Sequence, residues 1–358
     1  MARRLLLLNG LAIIAVILHH TAAYGLQAMF EWTNRYREVA VPNYDQIGTL
    51  SFYALLAVRL LDRFALPAFL MVSGYFIAFM ARGSTGNVTW QQLWPRIRIL
   101  LIPFALWTIA RYVLLRRPPS SIDDVMDPYH FIPVLIQFYL LSPLIVPLAR
   151  KNWRLLLGIA ALLQLLLLAY RSLFVLGMEI PLQAAVLAVP GWVFPEFVFW
   201  FPLGVVAGLH STTVSRWLAR HRRLLLVSLL VVSVLSFVEY GVVSRLVDGP
   251  WAGSTFRGIT GPLYSLVFLF AFLSLDEKSL PLPKQVADLG LHSLGIYMAN
   301  IPAIYIIAVL LYHLTPWVLG NQLIYQTILI AAGLGVPLLL MEMIRRSPAR
   351  GTYKYIFG

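Results

Sequence analysis

The chain has 358 residues, 60% of them hydrophobic and 12% charged, with a formal net charge of +13 and a mean hydropathy of +0.78. Several apolar runs exceed about eighteen residues, which excludes an ordinary soluble domain and predicts an all-α, polytopic integral membrane protein. Arginine and lysine fall at the ends of those runs instead of in one patch, so nucleic acid is not an expected partner; zero cysteines exclude disulfides, a thiol nucleophile and cysteine-ligated metal.

About ten transmembrane helices in one bundle are predicted. The first is Leu5–Leu26, with Asn9, His19 and His20 inside its apolar run. Asn9 and His20 are eleven residues apart, about three turns and 16 Å, so both project from nearly the same face. His19 points about a quarter-turn away. Two readings stay open for the imidazoles: side chains reaching the headgroup region, or proton-transfer groups suited to neutral pH. Arg3–Arg4 before an apolar run also fits a signal peptide, but the run's length and its two histidines favour a retained first helix.

A polar stretch, Asn34–Gln46, and an amphipathic piece, Ile47–Arg63, lead to the second span, Phe64–Met80. Arg59, Asp62 and Arg63 stand at helical neighbour spacings before it, as a solvated entry turn or as a fixed cation at the mouth of a cavity. Pro67 is expected to loosen a backbone hydrogen bond, and Ser73-Gly74 to admit a second helix closely. The remaining spans are Ile99–Leu115, Phe131–Leu148, Leu155–Tyr170, Phe194–Leu209, Leu224–Val243, Gly261–Leu275, Leu294–Leu314 and Leu323–Met343.

Arg111, late in the third span, has snorkelling as its plain reading. Glu196, among aromatics, can orient an imidazole or bind a sugar hydroxyl; Glu239 is a similar intramembrane carboxylate, and Glu342 is expected to pair with Arg345–Arg346. His130 and His292, at span ends, read as interfacial. No histidine–carboxylate spacing makes a metal site.

One set of alternate connections holds Arg3–Arg4; Arg82, Arg96 and Arg98; Arg150, Lys151 and Arg154; Arg216, Arg220, Arg222 and Arg223; Lys278 and Lys284; and Arg345, Arg346, Arg350 and Lys354. The other set is poorer in charge and mixed in sign, which places both termini in the cytoplasm. Asn87-Val88-Thr89 fits a glycosylation acceptor on the wrong side for use. No repeat or appended domain is visible, so residues 1–358 read as a single transmembrane domain.

Further motifs carry a likeness in order along the chain: RFALPAFLMVSGYF in the second span, Arg96-Ile97-Arg98 through Pro103 and Trp107, VLIQFYLLSPLI from Val134 to Ile145, Phe201-Pro202-Leu203-Gly204, and LGLHSLGIYMAN from Leu289 to Asn300. Together with His20-Thr21 they resemble the membrane acyltransferase 3 superfamily, particularly its O-acetyltransferase branch. The resemblance implies a bacterial inner-membrane enzyme moving an acyl group from cytoplasmic acetyl-CoA to a hydroxyl of an extracytoplasmic saccharide or lipid-linked glycan, among membrane lipids and without a metal.

It implies His20 as the base, with His19 as runner-up and Glu196 assisting. Donor-side candidates are Asn9, Arg63, Arg96, Arg98, Arg150 and Arg154. Acceptor-side candidates are Arg111, Tyr139, Glu239, Tyr297 and Asn300, the tyrosines having core packing as their plainer alternative. Two departures stand out: the family's first-helix arginine is Asn9 here, and a histidine seven residues after the late-motif serine is Asn300. Loss of that arginine leaves two alternatives, an exporter or flippase of saccharide, or a degenerate member without catalysis.

Overall fold

The computed structural model describes residues 2–83, 86–127, 129–178, 181, 186, 189–247, 258–276 and 280–358; Lys278, one of the predicted basic set, lies outside them. Among the described residues the chain is helical, with no strand. In order, the helices are α1 (Ala2–Phe30), α2 (Leu50–Leu61), α3 (Ala65–Met80), α4 (Trp90–Leu115), α5 (Ile122–Met126), α6 (Phe131–Val175) and α7 (Trp200–Leu209). They continue with α8 (Ser211–Arg220), α9 (Arg222–Leu246), α10 (Thr260–Ser274), α11 (Pro283–Leu291), α12 (Ser293–Leu314), α13 (Gln322–Arg346) and α14 (Tyr353–Ile356).

The predicted apolar segments fall largely on helix, except that Phe194–Leu209 opens with a 3-10 turn, Phe194–Phe197, and is α-helical only from Trp200. Among the described residues, six helical stretches, against the ten predicted spans, are long and apolar enough to cross a membrane: Arg3–Phe30, Trp90–Leu115, Phe131–Phe174, Arg222–Leu246, Ser293–Leu314 and Gln322–Arg346. The helices α7 and α10 are apolar but shorter. The 45 residues of α6 form two arms that meet at Asn152, whose backbone is non-helical (φ −153°, ψ 79°). Its carboxamide oxygen accepts from the Leu155 N–H at 3.1 Å, capping the second arm. The predicted segments Phe131–Leu148 and Leu155–Tyr170 are those two arms.

The first helix carries apolar residues on every side around its few polar ones, and it is built into the core. Leu5, Leu8 and Ile13 are fully buried, and α1 packs on α2, α3, α11, α12 and α13. Small residues set the closest crossings. A Cβ on Gly204 would collide with the Met71 carbonyl oxygen, and one on Gly74 with the Phe201 carbonyl, so the predicted close approach at Ser73-Gly74 is that of α7. Likewise Gly10 of α1 abuts the Val286 carbonyl of α11, and Gly290 abuts that of Leu6.

Pro67 departs from expectation. It is the third residue of α3, inside the first turn, where backbone N–H groups have no intrahelical acceptor, so no helical bond is loosened. The predicted basic set does gather at one end. Arg4 donates to the Leu273 carbonyl at 2.8 Å, and Arg222 pairs with Asp276 at 3.2 Å. Arg82 donates to the Gly208 carbonyl and Arg150 to that of Ala81, both at 2.8 Å. Glu342 takes both Arg345 and Arg346, as its spacing implied.

Candidate active site

Far from that basic end, about 24 Å along α1 from Arg4 at 1.5 Å per residue, two histidines are held by different partners. The helix α2 runs back down α1: Phe52 meets Phe30 edge-on at 6.1 Å between centroids, and Asp62 ends the helix at the level of His19. The His19 Nδ1–H lies 3.0 Å from both oxygens of the buried Asp62 carboxylate. The His20 Nδ1 lies 2.8 Å from Asn300 Oδ1 on α12.

Asn300 fixes the tautomer of His20. Its amide nitrogen donates to the carbonyls of Ile296 at 2.9 Å and Tyr297 at 2.7 Å. The carboxamide nitrogen is therefore turned into its own helix and the oxygen toward the imidazole. An acceptor at that position requires the proton on Nδ1, which leaves the Nε2 lone pair as the free face of the ring. Asn300 is wholly buried, so the assignment is enforced by packing as well as by hydrogen bonds.

Both rings line one cavity of about 450 Å³, with centroids 5.9 Å apart and nearly perpendicular. The quarter-turn between them does not separate their roles, because the cavity wraps around α1 and meets both. Arg59, Arg63, Asp127 and His130 also line it, with Arg171, Glu196 and Tyr297. His130 is therefore a cavity residue instead of an interfacial one. Glu196 is in the same cavity but its cation is Arg171, which also donates to the Val189 carbonyl at 2.7 Å; the imidazoles take Asn300 and Asp62 as partners. Gln137 ties the neighbouring segment down through the Trp192 carbonyl at 2.8 Å and the Phe194 N–H at 3.1 Å.

The other sequence candidates stand elsewhere. Arg111 donates to the backbone carbonyls of Asp124 and Asp127, each at 2.9 Å, and pairs with the Asp124 carboxylate, so it holds residues 122–127 instead of snorkelling. Glu239 accepts from the Ile259 N–H at 2.8 Å and the Thr260 hydroxyl at 2.5 Å, capping α10. Tyr139 is buried against Phe201. Arg96, Arg98, Arg150 and Arg154 are exposed on the basic half. The Asn9 side-chain oxygen is buried without a hydrogen-bond donor.

Residues 120–127 carry a pH-sensitive anchor. The Ser120 backbone N–H, helped by the Ser120 hydroxyl and by Arg117 and Arg111, holds the Asp124 carboxyl below the usual carboxylate range. Its contribution is complete above the unfolded carboxylate value of about 4 and is lost as pH falls through the lower folded value. Hydrogen exchange, corrected for intrinsic rates, is expected to show residues 120–127 loosening on acidification, and Arg111→Ala to produce the same loosening at neutral pH. Unchanged protection in both cases would refute this anchor.

Sequence reasoning did not bring Asp62, Asp127, Arg171 and His130 together, which the structure places around one cavity. Arg59 and Asp62 were visible as a cluster. Their partners were not visible, since 43 residues separate His19 from Asp62.

A family model described as an acyltransferase domain matches residues 5–342. No curated protein and no solved structure matches the chain.

Proposed function

The chain belongs to the acyltransferase 3 family, whose model covers nearly all of it, and from that premise we propose that it is a membrane O-acyltransferase of about ten spans that carries acetyl from cytoplasmic acetyl-CoA to a saccharide hydroxyl. The observation that carries the reading is the Asn300 acceptor on His20 Nδ1, which leaves Nε2 as a base at the cavity wall. In the proposed reaction Nε2 takes the proton of the acceptor hydroxyl as that oxygen attacks the thioester carbonyl. The carbon–sulfur bond breaks, and the departing thiolate recovers the proton from the imidazolium. His19, anchored on Asp62, is the second ring within reach.

The basic end is the proposed cytoplasmic face in a bacterial inner membrane, with both termini on that side. Arg96, Arg98, Arg150 and Arg154 then stand where the phosphates of CoA arrive. The donor has to bring its thioester to the cavity wall at Val16, one turn below His20. Asn9, on the same face of α1, offers a buried carboxamide oxygen to an amide N–H of the donor arm.

The test is acetyl-CoA binding and thioester cleavage by the purified chain in detergent, beside Asn9→Arg. Saturable binding with release of free CoA is the expected result. Binding by Asn9→Arg alone would mark a chain that has lost its donor site, and binding by neither would overturn the proposal.

A further inference from the structure

Among the described residues that line the cavity, Arg59 is a guanidinium with no hydrogen bond or ion pair. Three carboxylates among the described residues line that cavity, and each has a partner of its own: Asp62 on His19, Asp127 beside His130 at 3.7 Å, and Glu196 on Arg171. Arg171 is thereby used, and the Arg63 guanidinium packs over Gly261. Arg59 is partly buried, lines the cavity, and makes no hydrogen bond or ion pair with any of the described residues. Asp62, one turn along, attracts it electrostatically, yet both oxygens of that carboxylate face His19.

A guanidinium presents five N–H donors in a fixed fork and cannot shed its charge, so leaving it unmatched in a membrane interior is costly. The group that matches it best is planar or tetrahedral and anionic, a carboxylate or a phosphate held by two parallel hydrogen bonds. Position says which substrate brings that group. Arg59 is on α2, three residues before Asp62 and so about a turn beyond His19 from the basic end. Donor phosphates resting on the basic end would lie on the opposite side of His20. A cavity of about 450 Å³ falls within the range of about 300–1,000 Å³ for small-molecule sites, with room for a sugar-sized group.

We propose that Arg59 is the anion-recognition residue of this cavity and that the acceptor is a saccharide bearing a carboxylate or a phosphate. The inference rests on reading the cavity as the acceptor pocket of the acyltransferase. Anion recognition here sets which acceptor enters, and His20 acts on its hydroxyl.

Calorimetric titration of the full chain in detergent tests it, with glucuronic acid, glucose 1-phosphate and glucose as probes. At least one anionic probe is expected to bind about tenfold more tightly than glucose, and whichever binds better identifies the carboxylate or the phosphate. Arg59→Gln should bring that preference to near parity, Arg59→Lys should keep part of it, and acetyl-CoA affinity should be unchanged in both. Equal binding of glucose and both anions by the wild type, or binding of none, overturns the proposal without any variant. A loss of acetyl-CoA affinity in Arg59→Gln with the saccharide preference intact overturns it too, by giving Arg59 to the donor. If the wild type never cleaves acetyl-CoA but its anion preference depends on Arg59, the acyltransferase reading falls and the anion site stands.

Discussion

Replacing His20 by alanine is expected to lower acyl transfer by about a thousandfold, within the range of removing a positioned general base, with little change in the melting temperature of the solubilised chain. The ring is partly buried and, among the described residues, its one hydrogen bond is the Nδ1 contact to Asn300, so its loss costs the fold little. His19→Ala is expected to lose less than tenfold. An equal loss would move the base to the His19–Asp62 pair.

The Asn300 variants separate positioning from packing. Asn300→Leu removes the acceptor that holds the proton on Nδ1, and a wrong tautomer disables the base, so a loss of about a hundredfold is expected. Asn300→Asp still accepts from Nδ1–H, but its negative charge favours the imidazolium. In the proposed reaction the base works as neutral imidazole, so the rising limb of the pH–rate profile should shift to higher pH in that variant. A limb that stays in place would disconnect Asn300 from the base.

The second large effect concerns the fold. Gly204→Leu is expected to leave little folded protein, read as a collapse of the melting transition in detergent. Overpacking a core costs about 1–3 kcal/mol when neighbouring side chains can shift. Here the new Cβ meets the Met71 backbone of α3, so the two helices themselves must part. Gly335→Leu, with nothing within 4 Å of the added Cβ, should melt close to the wild type. Similar melting of the two variants would show that the crossing is not tight.

The apolar segments were legible because membrane-scale hydropathy needs no knowledge of partners. The face shared by Asn9 and His20 was legible for the same reason: it depends only on helical period. The late motif pointed to Asn300, yet the bond it makes joins residues 280 positions apart, a separation no local pattern encodes. Glu239 and Arg111 read as acceptor-side groups, and the structure uses both on backbone, as a cap for α10 and a tie to residues 122–127. A lone carboxylate or guanidinium near a helix end has the same sequence signature whether it serves a ligand or an unpaired N–H or C=O group. Pro67 was misjudged by position alone: two residues decide whether a proline breaks a helix or begins one.

That long-range bond also orders the birth of the protein in the membrane. A chain emerging from the ribosome commits α1, with its paired imidazoles, long before α12 has been made. His19 receives Asp62 early, when only the second and third helices have followed, while His20 waits through almost the entire translation for Asn300. Until then the His20 ring lacks its Asn300 acceptor. The half-built molecule holds the His20 ring with no fixed tautomer, and the acceptor that fixes it arrives only with α12.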